Sequence, residues 1–92
     1  KGKIRQVYSL KEGEGEVIEA DATETSTIVN KKISDLKLPN GVKFGAILKK
    51  NNNEVVIARD DVIIESGDRI ILFSLSKVIK KVEKLLSVSF GF

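Results

Sequence analysis

The sequence predicts an α+β domain, a small mixed sheet of four to five strands with one short helix and a C-terminal amphipathic helix. Three observations carry that expectation. Residues 16–22 and 42–49 alternate apolar and polar side chains, the period of a half-buried strand. Residues 69–75 (RIILFSL) place apolar side chains at both parities, as a central strand covered on both faces does. Residues 77–86 space Val78, Ile79, Val82, Leu85 and Leu86 as a helical stripe.

The elements follow in order. Residues 3–10 (KIRQVYSL) read as extended, and KEGEG at 11–15 as a glycine-containing loop. In residues 16–22, Ile18, Ala20 and Ala22 share the inner face. Residues 26–29 form a tight turn, Asn30 is a hinge because Asn tolerates positive φ, and residues 31–36 are expected to form the short helix. Pro39-Asn40-Gly41 is a turn. In the strand at 42–49, strict alternation places Val42, Phe44, Ala46 and Leu48 on one face. Lys43, Gly45, Ile47 and Lys49 then share the other. Residues 50–53 connect a hairpin that returns through 54–58. Val62-Ile63-Ile64 is a short apolar run, Gly67 and Asp68 build the turn into the central strand, and Ser76 is the expected helix cap. The order is β-α-β-β-β-α after the leading extended segment, with helices packed on the sheet.

Composition removes several chemistries. Among 92 residues there is no cysteine, histidine, methionine or tryptophan. Disulfides, thiol nucleophiles, imidazole bases and most zinc sites are therefore excluded from this sequence. No nucleophile–base pair can be assembled, so an enzyme is not expected. The net charge of +3 is too small for a strong phosphate-backbone footprint, and no aromatic residues interleave with the lysines at 77–84; nucleic acid is not an expected partner. No run is long enough to span a membrane. The chain opens Lys1-Gly2-Lys3 without methionine, which fits a segment of a longer protein.

Two groups of acids were candidates for a divalent-cation site, Asp60-Asp61 and Glu65 with Asp68, because oxygen ligands suit Ca²⁺ or Mg²⁺. Turn chemistry accounts for them more simply, so no metal site is expected, and Asn30, Gly67 and Asp68 are assigned to turns. Gly13 and Gly15 do not make a dinucleotide loop, since no helix follows them and glutamates surround them.

The order of these signals resembles the C-terminal domain of RCK proteins, the TrkA-C domain. The resemblance covers residues 14–87 and rests on four ordered elements. These are the Ser26 turn, Lys31-x-Ile33-x-x-Leu36, the strand ending Ile47-Leu48-Lys49, and Gly67-Asp68 leading into Ile70-Ile71-Leu72-Phe73. The flanks, VYSL at 7–10, VIEADA at 17–22 and a terminal helix before a Phe-rich tail, are similar to the last domain of a regulatory subunit of a bacterial potassium-uptake system. The domain division is then 1–13 as an N-terminal extended linker, 14–87 as the domain proper and 88–92 as a tail.

That resemblance implies a regulatory ligand-binding and dimerisation module in a cytoplasmic, membrane-peripheral subunit that controls a bacterial or archaeal potassium transporter or channel. It implies dimerisation, with the Rossmann halves of the same longer chain and the potassium-conducting membrane subunit as partners. NAD and ATP would belong to those Rossmann halves, so no cofactor is expected within these residues. A purely structural dimerisation or packing domain with no ligand of its own is the alternative. Many members carry glycine where this chain has Asn30, and proline after the second hairpin strand, where this chain has Ala58-Arg59. The second departure argues against cyclic-dinucleotide binding, because that pocket lies nearby in relatives that have it. The residues expected to form an anion or effector pocket are Phe44, Gly45, Ile47, Lys49, Lys50 and Arg59. Those expected on a dimer or packing face are Val78, Ile79, Val82, Leu85 and Leu86.

Overall fold

The computed structural model describes residues 3–88. Of the tail at 88–92, residues 89–92 lie outside the described residues, as do residues 1–2. Among the described residues there are seven strands and one α-helix: β1 (Lys3–Leu10), β2 (Gly15–Asp21), β3 (Lys31–Lys32), β4 (Val42–Leu48), β5 (Val55–Ile57), β6 (Ile63–Ile64), β7 (Arg69–Leu75) and α1 (Ile79–Leu86). The main sheet has the order β1-β2-β7-β4-β5, and β3 pairs with β6 in a separate two-stranded ribbon. The α+β class is as expected, but every pair is antiparallel rather than mixed.

Residues 3–10 are a full edge strand, hydrogen-bonded along β2 with a bulge at Arg5. β7 takes the central position that its apolar residues at both parities predict, but the expected cover on both faces is corrected: Phe73 and Leu75 on its second face are exposed. Ile70, Leu72 and Ser74 turn inward and are buried. They stand opposite Ala20, Ile18 and Glu16 on β2. Ile28, Ile64, Val82 and Leu86 complete that core, so the turn at 26–30, β6 and α1 cover one face of the sheet.

Two expectations about local structure are corrected. Residues 31–36 do not form a helix. Lys32 is extended, a single 3-10 turn spans Ile33–Asp35, and Leu36 is extended again. The reason lies in where the backbone donors go: Asn30 N–H bonds Ile64 O, Ile33 N–H bonds Val62 O and Ser34 N–H bonds Asp60 O. A six-residue helix is too short to compete with a ribbon that satisfies those groups. Ser76 does not cap α1 either. Its hydroxyl donates to Glu16 Oε1 at 3.2 Å, and a 3-10 turn over Ser76–Val78 leads into the helix. The expected left-handed hinge at Asn30 is present, with φ 65°.

The alternation assumed for β4 is also corrected. A bulge at Gly45 shifts the register against β7, so Phe44 pairs with Leu72, and Ile47 pairs with Ile70. One extra residue inverts the parity beyond it. Ile47 therefore joins Phe44 in the core and is fully buried. Gly45 leaves room there for the Phe73 ring, since a Cβ would stand 2.9 Å from its Cε2 and the ring would have to shift.

Candidate functional site

Two surfaces remain for function, the uncovered face of the sheet and a cleft at one end of it. The uncovered face follows from register. Tyr8 stands opposite Val17 and Val17 opposite Phe73; Leu10, Gly15 and Leu75 form the next row; Ala46 stands opposite both Ile71 and Ile57. Tyr8 is 69% exposed, Val55 70%, Ile57 59% and Phe73 46%. Leu10 and Leu75 are exposed as well. Among the described residues, no element lies over this row of aromatic and aliphatic side chains. Contiguous exposed apolar surface of this kind marks an interaction site.

Of the dimer and packing roles expected of the α1 stripe, the structure shows packing. Val82 and Leu86 are buried in the core, and Val78, Ile79 and Leu85 are half-buried. The apolar stripe was legible, but the core of the domain absorbs it. α1 is held from its C-terminal end: Ser26 Oγ and Thr27 Oγ1 donate to Leu85 O at 3.1 and 3.0 Å, and Ser87 adopts a left-handed cap.

The six residues expected to form one effector pocket are dispersed. Phe44 and Ile47 are core residues, Gly45 lies beneath the Phe73 ring, and Arg59 sits in the exposed turn after β5. Lys49 and Lys50 do line a cleft of about 710 Å³ at the end of β2, β4 and β7. Its other walls include Arg5, Asp21, the 22–25 segment, Asn53, Ser66, Gly67 and Arg69.

The Lys49 charge is already used. Its ammonium forms an ion pair with buried Asp68, a second with Glu65 at 2.9 Å, and donates to Ile63 O at 2.8 Å. Asp68 is 1% exposed. It also accepts from Lys50 N–H and Glu65 N–H, both at 2.9 Å. Burial pulls the Lys49 ammonium down, but the hydrogen bonds it donates to Asp68 and then Glu65 outweigh it and raise its pKa above the usual lysine range. Sequence reasoning assigned Asp68 to the turn and missed this partner set. The turn itself is present, with Asp68 N–H on Glu65 O and Gly67 at φ 92°. Lysine and acid are 19 residues apart, and only the antiparallel pairing of β4 with β7 brings them together.

Beside this pair, Asp21 bridges two arginines. Arg5 Nη2 approaches Asp21 Oδ2 at 2.8 Å, and Arg69 Nε approaches Oδ1 at 3.4 Å. Arg69 Nη1 also reaches Glu19 at 3.3 Å. Burial pushes the Asp21 carboxyl up, but the bonds from Arg5 and Arg69 prevail and hold it below the ordinary range. Among the described residues, no group of three or more acidic side chains stands close enough to hold a metal ion. No helix among them is long and apolar enough to cross a membrane.

Comparison with known proteins gives a consistent result. The family model described as the TrkA-C domain matches residues 17–87. The chain is 41% identical over 92 residues to the "Trk system potassium uptake protein TrkA" of Azorhizobium caulinodans, covering all of this chain and 20% of that protein. It is 44% identical over 96 residues to the protein of the same name from Halomonas elongata, covering all of this chain and 21% of that one. It is 39% identical over 85 residues to "Trk system potassium uptake protein TrkA homolog 2" of Methanosarcina mazei, covering 91% of this chain and 18% of that protein. The chain thus spans about a fifth of the length of the curated relatives it matches. With a family match across most of the described sequence and relatives aligned along its whole length, the chain belongs to the TrkA-C domain family.

Proposed function

We propose that this chain is a regulatory pairing module of a potassium-uptake system. In this reading it belongs to a cytoplasmic subunit, peripheral to the membrane, and pairs with a second copy of itself. Rossmann halves of a longer chain carry the NAD or ATP, and a Trk-type membrane subunit carries the potassium. The observation that supports it most is the uncovered apolar sheet face centred on Phe73, flanked by Tyr8 and Ile57. A second copy is the occupant that matches this face, because an isologous contact needs only one self-complementary patch. The mechanism is a population shift. Ligand state elsewhere in the assembly biases one arrangement of paired domains over another, in proportion to its differential affinity for the two. No catalytic step is involved.

Sedimentation equilibrium of the 92-residue chain tests the pairing. A monomer–dimer equilibrium is expected, abolished by Phe73→Lys with Ile57→Lys. A strict monomer at millimolar concentration would overturn the pairing and leave the structural-packing alternative.

A further inference from the structure

We propose that the cleft at the end of the sheet binds an oxyanion, a phosphate or carboxylate group, through Arg5, Lys50, Asn53, Ser66 and Arg69. The cleft holds about 710 Å³ and is walled by these five residues together with the 22–25 segment. Its free polar groups are mostly donors. The Lys50 ammonium, the Ser66 hydroxyl and the Asn53 side-chain amide bond no group among the described residues. Asp21 engages Nε and Nη2 of Arg5 and Nε of Arg69, which leaves Nη1 of Arg5 and Nη2 of Arg69 unbonded. A carboxylate shared between two guanidiniums fixes both heads before any ligand arrives. Planar forks held in this way suit oxyanions.

The rest of the wall is arranged to spare Lys50. Neighbouring Lys49 neutralises the buried Asp68, so that acid does not draw the Lys50 ammonium away. The Lys50 stem lies against Gly67, where a Cβ would stand 2.5 Å from its Cδ and 3.3 Å from its Nζ. Gly67 thus serves the cleft as well as the turn. Glu24, also on the wall, binds no cation among the described residues and limits the net charge. Recognition therefore rests on directed donors more than on the summed field. The site does not depend on the pairing of the sheet face.

The test is a titration of the isotope-labelled 92-residue chain, followed by amide resonances, with pyrophosphate and separately with citrate. Ionic strength is held constant with sodium chloride. Saturable shifts at residues 22–25, 50–53 and 66–67 are expected. A response to pyrophosphate alone marks a phosphate ligand, and a response to citrate alone a carboxylate one. Lys50→Gln with Ser66→Ala should weaken binding about tenfold, the loss expected for directed bonds to a charged ligand. Neither side chain bonds any group among the described residues, so this variant keeps its fold. Lys77→Gln, beyond the opposite end of β7, should bind as the parent does. No shift with either ligand, shifts that fail to saturate or spread along α1, or unchanged binding by the double variant would each overturn the site.

Discussion

Asp68 shows how a buried acid is tolerated in so small a core. Its two carboxylate oxygens accept two backbone N–H groups and the Lys49 ammonium, so no lone charge is left. Removing Lys49 leaves Asp68 buried without a cation, and neutralising Asp68 leaves Lys49 with only Glu65 and Ile63 O. Lys49→Met and Asp68→Asn should each destabilise the chain by about 2–4 kcal/mol, whereas Lys50→Gln should stay within about 0.5 kcal/mol. Urea midpoints of the three variants check this. Asp21 makes a second prediction. Its folded pKa is lowered, so near pH 4 the unfolded chain takes up a proton that the folded chain refuses. The Asp21 contribution is present above the ordinary carboxylate range and is lost as pH falls through the folded value. The stability difference between the parent and Asp21→Asn should therefore shrink between pH 6 and pH 3, as urea titrations at both pH values would show. A difference that grows on acidification would contradict the Arg5–Asp21–Arg69 assignment.

At the scale of elements, β4 decides which side chains are core. The bulge at Gly45 makes Ile47 a core residue, whereas Leu48, opposite Arg69, remains half-buried. Ile47→Ala should cost about 2–5 kcal/mol as a cavity in a closed core, and Leu48→Ala clearly less. Thermal denaturation of both variants tests the register: an equal or reversed order would rule the bulge out. This is also where the sequence stopped being legible. Periodicity located β2, β4, β7 and α1, because their apolar spacing is regular over seven or more residues. It could not place an inserted residue inside β4, since an inserted glycine leaves both alternations plausible. It also overstated residues 31–36, where long-range bonds to β6 outcompete a local helix. Lys49 and Lys50 are legible as charged residues at a strand end, and both line the cleft. That one is consumed by Asp68 and the other free is a tertiary fact, set by strands that meet only in the folded sheet.

For the whole molecule, the two faces of one sheet have different fates. One face closes over Ile18, Ile70, Leu72 and Val82 within the chain. The other leaves Tyr8, Ile57 and Phe73 in water. An interaction made only between folded copies stabilises the native state by mass action, because unfolded chains do not share it. If the open face is the pairing surface, the thermal midpoint of the parent should rise as protein concentration rises from micromolar to millimolar. The Phe73→Lys, Ile57→Lys variant removes the contact without entering the core, since both side chains already stand largely in solvent. Its midpoint should be independent of concentration and should match the parent at the lowest concentration. Val82→Ala should behave oppositely, lowering the midpoint at every concentration while leaving the slope intact, because that side chain belongs to the closed face. Scanning calorimetry of the three chains over that range separates the faces. A parent midpoint that does not move with concentration would show that its open face meets no second copy.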